Sequence, residues 1–220
     1  MAKLLLASRN QHKIEELQQM LTSLNIEVIS LDDVPDMPII EEDGKTFSEN
    51  ASKKARLTAM HTGFTCLADD SGLVVDALGG QPGVYSARFA GEDADDRKNN
   101  HKLLQMLQGL EDEKRQARFI CVIAISDPRG NVCTVEGTCE GRIDFEERGI
   151  GGFGYDPLFI PEGYTRTFAQ LSPEVKNQIS HRGQALLKAR TFLEKVTGDT
   201  LKGTRGSSVT FLHAYMDSTS

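Results

Sequence analysis

Apolar and polar positions alternate along the chain in blocks that predict an α/β fold. Ile14, Leu17, Leu21 and Leu24 recur at intervals of three and four residues, which is the apolar stripe of an amphipathic helix. Short apolar runs such as residues 3–7 and 120–125 have the length of buried strands. The pattern predicts strands at 3–7, 26–29, 65–68, 73–78, 118–126, 132–139, 141–145 and 158–160, and helices at 11–24, 47–61, 93–109 and 181–196. Strands that alternate with helices and end in a hairpin indicate a mixed central sheet.

The length of the chain, 220 residues, suits one compact domain or a two-lobed one. We find no internal repeat. Residues 197–220 are rich in Gly, Ser and Thr and have no sustained apolar period, so we expect a flexible C-terminal tail that is dispensable for chemistry. The predicted domain therefore covers residues 1–196.

Charge and composition narrow the class of protein. A formal net charge of -7 disfavours broad contact with a nucleic-acid backbone, although a few focused lysines could still bind a small polyanion. The apolar runs are too short for a membrane span and no secretory signal is visible, so we expect a soluble, cytoplasmic protein without membrane or nucleic-acid partners. The four cysteines form no Cys-x-x-Cys pair, which predicts reduced, mostly buried thiols and no zinc site.

The first candidate site is the junction at residues 8–13, where a buried strand meets the start of a helix. Backbone N–H groups at a helix start can bind an anion, and Lys13 would add a positive charge. The spacing is not that of a P-loop, so a simple helix cap with a surface lysine is the alternative.

The second candidate is the acidic pair Asp69 and Asp70 at the end of a predicted strand. Successive strand residues point to opposite faces, so only one of the two can face a given ion. With a second carboxylate from the loop 41–43, that aspartate could bind magnesium, whereas a solvated turn is the alternative. Asn50 and Lys54 share one face of the predicted helix 47–61. They could reach a triphosphate or form a solvated polar face.

The third candidate combines the segment 153–157 with the region 176–182. Aromatic rings beside glycines suit the stacking of a base, and Asp156 could accept a hydrogen bond from a ring N–H. Lys176, His181 and Arg182 could donate to carbonyl oxygens near a helix start. The alternatives are a glycine turn with core aromatics and ordinary helix capping.

Six blocks in this order resemble the inosine/xanthosine triphosphate pyrophosphatase family. They are Ser-x-Asn-x-x-Lys at 8–13, Phe-x-Glu-Asn-Ala at 47–51, Ala-Asp-Asp-Ser-Gly-Leu at 68–73, Pro-Gly-Val-Tyr-Ser-Ala-Arg at 82–88, Gly-Gly-Phe-Gly-Tyr-Asp-Pro at 151–157 and Ser-His-Arg-Gly-Gln-Ala at 180–185. The resemblance implies a homodimeric, magnesium-dependent enzyme with an elongated mixed sheet and flanking helices that form two lobes around a substrate cleft. It implies the hydrolysis of ITP, dITP and XTP to monophosphate and pyrophosphate, which cleanses the nucleotide pool.

The resemblance also assigns residues. Asp70 matches the general base and a metal ligand, Glu41 matches the other metal ligand with Glu42 as the alternative register, and Ser71 matches a substrate contact. The phosphate-binding stretch is Ser8, Arg9, Asn10, Gln11, His12 and Lys13. The base-binding set is Phe153, Gly154, Tyr155, Asp156, Lys176, His181 and Arg182. Within that set we expect Lys176 and Arg182 to donate to the 6-oxo group of the purine, because donors left unpaired by adenine discriminate strongly.

Two other functions fit parts of the sequence. Fold-related pyrophosphatases that act on modified pyrimidine nucleotides would lack the blocks at 151–157 and 180–185, so these blocks favour purines. A nucleotide-binding regulator without turnover would not need Asp70 as a base, so the carboxylate set favours an enzyme.

Overall fold

A computed structural model describes residues 2–24, 26–34 and 36–201. The strands are β1 Ala2–Leu6, β2 Ile26–Ser30, β3 Thr65–Val75, β4 Gln116–Ser126, β5 Val132–Ile143 and β6 Phe159–Pro161. The helices are α1 Gln11–Leu21, α2 Phe47–Thr62, α3 Asp96–Met106, α4 Pro173–Ile179 and α5 His181–Leu201.

The six strands form one sheet in the order β2-β1-β3-β4-β5-β6. Strand β1 pairs in parallel with both β2 and β3, whereas β5 and β6 are antiparallel. The predicted α/β class with a mixed sheet is therefore confirmed. The chain crosses from β1 to β2 through α1 and returns past β1 to β3 through α2. Because such crossovers are right-handed, the two helices lie on opposite faces of the sheet.

The chain divides into two compact units. The first comprises the chain up to Asp70, Val122–Glu136 and the part from Ala185 onward, and the second comprises Ser71–Cys121 and Gly137–Gln184. Strands β3, β4 and β5 each contribute residues to both units.

The core of the first unit follows the predicted periodicity. Ile14, Leu17 and Leu21 of α1 are buried, as the apolar stripe requires. Helix α2 buries Ala51, Ala55 and Ala59, which are four residues apart and therefore lie on one face. Helix α2 begins as predicted, since the Thr46 hydroxyl accepts a hydrogen bond from the Glu49 N–H at 3.1 Å.

The core of the second unit is built around aromatic rings. The Phe119 ring packs edge-on against Phe159, with 4.7 Å between ring centroids, and stacks on Phe168 at 5.9 Å. On the same ring, His181 stacks at 4.7 Å. Leu103 and Leu107 of α3 and its C-terminal turn close this cluster and are fully buried. Burial of these large rings stabilises the second unit.

Several predicted element bounds were wrong. Strand β3 runs without a break through residues 69–72, which the sequence analysis read as an interruption, and β5 continues to Ile143 instead of ending at residue 139. Residues 69–72 remain extended because β3 lies between β1 and β4 in the sheet. Directly after them, the Leu73 N–H donates to the Ser86 hydroxyl at 2.9 Å. Helix α4 was not predicted, and α5 extends past residue 196 to Leu201. The rest of the predicted tail, residues 202–220, lies outside the described residues.

The cysteines match the prediction. All four are buried and none forms a disulfide: Cys66, Cys121, Cys133 and Cys139. Burial raises the pKa of Cys66 and of Cys133 to about 12 and that of Cys139 to about 11, which keeps these thiols protonated at neutral pH. Separately, none of the helices in the described ranges has both the length and the apolar character that crossing a membrane requires.

Arg115 provides a test of the second unit, because its guanidinium is 2% exposed and donates to the carbonyl oxygens of Leu107, Ile143 and Asp144 at 2.9, 2.8 and 2.6 Å. We expect Arg115→Met to lower the free energy of unfolding by roughly 3 kcal/mol, because it leaves buried acceptors unsatisfied. Arg118→Met is the control, since the Arg118 guanidinium forms a partly exposed ion pair with Asp76, and its loss should lower the free energy of unfolding by less than about 1 kcal/mol. Urea denaturation measures both values, and equal losses would contradict this role of Arg115.

Candidate active site

The site in the first unit forms where β1 ends and β3 continues. The register pairs Leu6, the last residue of β1, with Leu67, and the Ala7 N–H still donates to the Leu67 carbonyl at 2.8 Å. Residues Asp69 and Asp70 of β3 therefore extend past the end of β1, beside the turn that leads into α1. Carboxylates next to helix N-termini are stabilised by the positive end of the helix dipole.

The Asp69 carboxylate forms an ion pair with Lys13. The Lys13 ammonium donates to both carboxylate oxygens of Asp69, at 2.9 and 2.7 Å. The side chain of Asp69 is 8% exposed and that of Lys13 is 25% exposed, so the pair is largely shielded from water. Lys13 lies in the first turn of α1, and this contact fixes the position of its charge at the end of β1.

Asp70 points to a different partner, as the alternation of a strand requires. The Asn50 side-chain N–H₂ of α2 donates to Asp70 Oδ2 at 2.9 Å, and the Asn50 side-chain oxygen accepts from the Gly44 N–H at 2.7 Å. Asp70 is half-buried, whereas Asn50 is 2% exposed. The prediction that the two aspartates cannot face one group holds, and the alternative of a solvated turn is wrong for this pair.

The acidic loop before α2 is attached to that helix by ion pairs. Glu42 pairs with Lys54 at 2.5 Å and Asp43 with Lys53 at 2.6 Å. The hydrogen bond and positive charge of Lys53 hold the pKa of Asp43 below its usual value. Glu41 is exposed. Of the two acids that the sequence left open, Glu42 is thus engaged with a lysine and Glu41 faces solvent.

The donor set of this unit suits a hard cation. The described residues form no group of three or more His, Cys, Asp or Glu side chains that could hold a metal ion. Magnesium, however, typically takes one or two carboxylates and fills its other positions with phosphate oxygens and water. Carboxylates such as Asp70 and Glu41 are therefore compatible with magnesium bound together with a nucleotide.

The junction 8–13 forms the predicted turn and helix start. The Asn10 side-chain oxygen caps α1 by accepting from the Lys13 N–H at 3.4 Å, and the Ser8 hydroxyl accepts from the Asn10 N–H at 3.1 Å. Arg9 pairs with Asp32 at 2.9 Å, and Gln11 donates to Glu15 at 3.2 Å. The side chain of His12 lies outside the described part of the chain. The predicted cap of α1 is therefore present.

In the second unit, the proposed base-binding residues Phe153 and Asp156 differ in their exposure to solvent. Phe153 is 64% exposed, which leaves a ring face open to solvent. Asp156 is 3% exposed, accepts from the Phe153 N–H at 2.8 Å and forms an ion pair with Lys176. Burial raises the pKa of Asp156, and the Lys176 charge opposes that shift. Gly152 is required here, because a Cβ at its position would lie 2.0 Å from Asp156 Oδ2.

Cationic groups lie over the exposed ring. Lys176 Nζ is 4.8 Å from the Phe153 ring centroid and Arg182 Cζ is 5.9 Å from it. His181 stacks on Phe119 in the aromatic core instead of on Phe153. Ser180 caps α5 as predicted, since its hydroxyl accepts from the Gly183 N–H at 3.1 Å. The structure thus brings Phe153, Asp156, Lys176 and Arg182 together.

The main chain of this loop is fixed by residues that the sequence analysis missed. The Gly154 N–H donates to Asp96 Oδ2 at 2.7 Å, and the Gly154 carbonyl accepts from the Asn100 side chain at 3.1 Å. Both partners lie on α3, one turn apart. Tyr155 is 4% exposed and its hydroxyl donates to the Ser86 carbonyl at 2.8 Å, so its ring belongs to the core. An acid at a helix start was the only signal for Asp96, and it resembled ordinary capping.

Comparisons with known proteins agree over nearly the whole chain. The model of the Ham1 family matches residues 4–192. A dITP/XTP pyrophosphatase of Desulforamulus reducens is 54% identical over 194 residues, which cover 88% of this chain and 96% of the relative. A dITP/XTP pyrophosphatase of Geobacter sulfurreducens is 52% identical over 186 residues, covering 84% and 94%.

Solved structures give the same result. A HAM1 protein from Coxiella burnetii superimposes with a TM-score of 0.84 at 45% identity, over 88% of this chain and 98% of that one. A nucleoside-triphosphatase / dITP/XTP pyrophosphatase from Mycobacterium abscessus gives 0.75 at 46% identity, over 85% and 97%. The resemblance found in the six sequence blocks is confirmed, and the chain belongs to the Ham1 family.

Proposed function

We propose that this protein hydrolyses the non-standard purine nucleotides dITP, ITP and XTP to the nucleoside monophosphate and pyrophosphate. The proposal takes its substrates from relatives named dITP/XTP pyrophosphatase, which align with almost the full chain. The observation that carries it is that the two acidic residues of β3 have different partners. Asp69 forms an ion pair with Lys13, and Asp70 accepts a hydrogen bond from Asn50. Removal of such nucleotides from the precursor pool is the expected biological role.

In the proposed reaction, water attacks the α-phosphorus and pyrophosphate leaves. Asp70 orients that water and accepts its proton, which is the task of a positioned general base. Lys13, held in place by Asp69, offers its remaining ammonium N–H to the phosphates, and the start of α1 contributes backbone N–H groups to the same end. Phosphoryl transfer depends mainly on such positioning and charge stabilisation, so the chain needs no covalent nucleophile.

We assign the metal ligands to Asp70 and Glu41. Magnesium would supply charge neutralisation on the phosphate oxygens when it is bound. Glu41 is preferred to Glu42 because Glu42 already pairs with Lys54, whereas Glu41 is exposed. Ser71 follows Asp70 directly in β3 and keeps its proposed role as a substrate contact.

The purine is assigned to the loop of the second unit. The exposed Phe153 ring offers a stacking face, and Lys176 and Arg182 offer donors near that ring. A 6-oxo group would accept from these donors, whereas the 6-amino group of adenine would leave them unpaired. Because the Tyr155 ring is turned into the core, it would not stack on the purine. Gly154, whose main-chain N–H and carbonyl are paired with α3, would contribute by leaving space for the base beside Phe153.

A homodimer, a cytoplasmic location and the absence of nucleic-acid partners complete the proposal. The support for the dimer is the family resemblance alone, so we test it separately from the chemistry. Sedimentation equilibrium of the purified protein should give about twice the chain mass of 24.2 kDa. A monomer that retains full activity would contradict the dimer and leave the reaction unaffected.

A panel of nucleotides tests the reaction itself. Purified protein is incubated with ITP, dITP, XTP, GTP, ATP and dTTP, with magnesium or with a chelator, and pyrophosphate and nucleotide products are both measured. We expect magnesium-dependent monophosphate and pyrophosphate from ITP, dITP and XTP, with the others slow. Tight binding without turnover would indicate a nucleotide-binding regulator. Preference for a modified pyrimidine nucleotide, added as a further arm, would indicate the pyrimidine alternative.

Asp70→Asn tests the base. We expect kcat for ITP to fall by about 10² to 10⁴, because the amide cannot accept a proton from water, while the melting temperature stays close to that of the wild type. Asp76→Asn is the matched control, since Asp76 directly follows β3 but forms a surface ion pair with Arg118. Near-normal kcat in folded Asp70→Asn would refute the assignment.

Arg182→Met tests base selectivity. We expect kcat/KM for ITP to fall by about 10- to 100-fold, the value of one hydrogen bond from a charged donor, while the slow reaction with ATP is unchanged. Arg190→Met on the same helix is the control, because Arg190 pairs with Glu194 on the surface. Equal losses for ITP and ATP would show that Arg182 does not read the 6-position.

A further inference from the structure

Asn50 is a buried polar residue with an unusual environment for the first turn of a helix. It lies four positions after the Thr46 cap and is 2% exposed, so its side chain is withdrawn from solvent. Its position on the helix made it a candidate triphosphate contact. The structure instead places its side-chain nitrogen 2.9 Å from Asp70 Oδ2. A buried amide is costly unless both of its ends are paired, and here both are.

The orientation of the Asn50 amide is fixed by its second contact. The Gly44 N–H lies 2.7 Å from the Asn50 side-chain oxygen, and a backbone N–H can only donate. The oxygen must therefore face Gly44, which leaves the N–H₂ group to face Asp70. If the amide were flipped, its N–H₂ group would face the Gly44 N–H and its oxygen would face the Asp70 carboxylate. Donor would then face donor and acceptor would face acceptor, so only the observed orientation forms both hydrogen bonds.

The contact with Gly44 is close enough to require a glycine. A Cβ at this position would lie 2.6 Å from the Asn50 side-chain oxygen and 2.8 Å from Glu49 Cβ. Gly44 belongs to the same acidic loop as Glu41, the proposed second metal ligand. The Asn50 amide thus bridges the loop that carries Glu41 and the strand that carries Asp70.

We propose that Asn50 is a positioning residue that fixes the Asp70 carboxylate by holding Oδ2, and that connects it through Gly44 to the acidic loop. This inference rests on the proposed hydrolysis, in which Asp70 is the base. Holding Oδ2 fixes the orientation of the carboxylate group relative to the water that it deprotonates in the proposed reaction. Residues that orient a reacting or metal-binding group in this way typically change activity by about 10- to 100-fold when they are replaced.

Two substitutions separate the two contacts of Asn50. Asn50→Asp keeps an oxygen that can accept from the Gly44 N–H but cannot donate to Asp70 while ionised. Asn50→Leu has a similar volume and loses both contacts. Thr58→Val is the control, because Thr58 is also buried on α2, at 1% exposure, and lies two turns from Asn50. Kinetics with ITP, thermal denaturation and amide hydrogen exchange at Gly44 are measured for each variant.

We expect kcat to fall by about 10- to 100-fold in both Asn50 variants, with KM for ITP within about 2-fold of the wild type, because substrate binding does not use Asn50. Hydrogen exchange at Gly44 should stay slow in Asn50→Asp and accelerate in Asn50→Leu. Thr58→Val should retain the wild-type kcat. If the Asn50 variants do not fold, Gly44→Ala displaces the same amide from the loop side and should lower kcat in the same range.

Different results contradict different claims. Wild-type kcat in Asn50→Asp, with loss only in Asn50→Leu, would show that Asn50 anchors the loop and does not position Asp70. An equal loss in Thr58→Val would show that general weakening of α2 lowers activity, which also overturns the inference. A wild-type protein that hydrolyses no nucleotide would instead refute the proposed function, and with it the reaction on which this inference depends.

Discussion

Adjacent residues of a β-strand point to opposite faces, and the first unit depends on that constraint at Asp69 and Asp70. Because α1 and α2 lie on opposite faces of the sheet, each aspartate meets a different helix. Asp69 meets Lys13 of α1 and forms a shielded ion pair, and Asp70 meets Asn50 of α2 and accepts a hydrogen bond from its side-chain N–H₂ group. The two adjacent carboxylates thereby obtain different partners on different helices.

Arg115 and Asp156 of the second unit follow the same physical rule as Asn50 of the first, since burying a polar group costs less free energy when the group is paired. Arg115 satisfies three carbonyl oxygens of the second unit, and Asp156 is compensated by Lys176 and the Phe153 N–H. At Gly154 both main-chain polar groups are held by α3. The loop that carries Phe153, Gly154 and Asp156 is therefore held by hydrogen bonds to its main chain, and such preorganisation is what binding and catalysis by positioning require.

The sequence predicted those features of the fold that depend on residues close together in the chain. The apolar stripe of α1, the Thr46 and Ser180 caps, the mixed sheet and the opposite facing of the two aspartates all follow from periodicity or capping. The continuity of β3 through Asp69 and Asp70 did not, because its turn-like residues are held extended by partners far away in the sequence. For the same reason the roles of Asn50 and Asp96 were missed: their hydrogen bonds join positions 20 and 58 residues apart.

In the proposed reaction water attacks the α-phosphorus of a purine nucleotide, and the position of the water oxygen in the products tests this step most directly. ITP is hydrolysed with magnesium in water enriched in ¹⁸O, and mass spectrometry locates the label in the products. The account predicts one labelled oxygen in the monophosphate and none in pyrophosphate. Label in pyrophosphate would place the attack on the β-phosphorus, and inosine diphosphate with labelled phosphate would place it on the γ-phosphorus; either result would contradict the account.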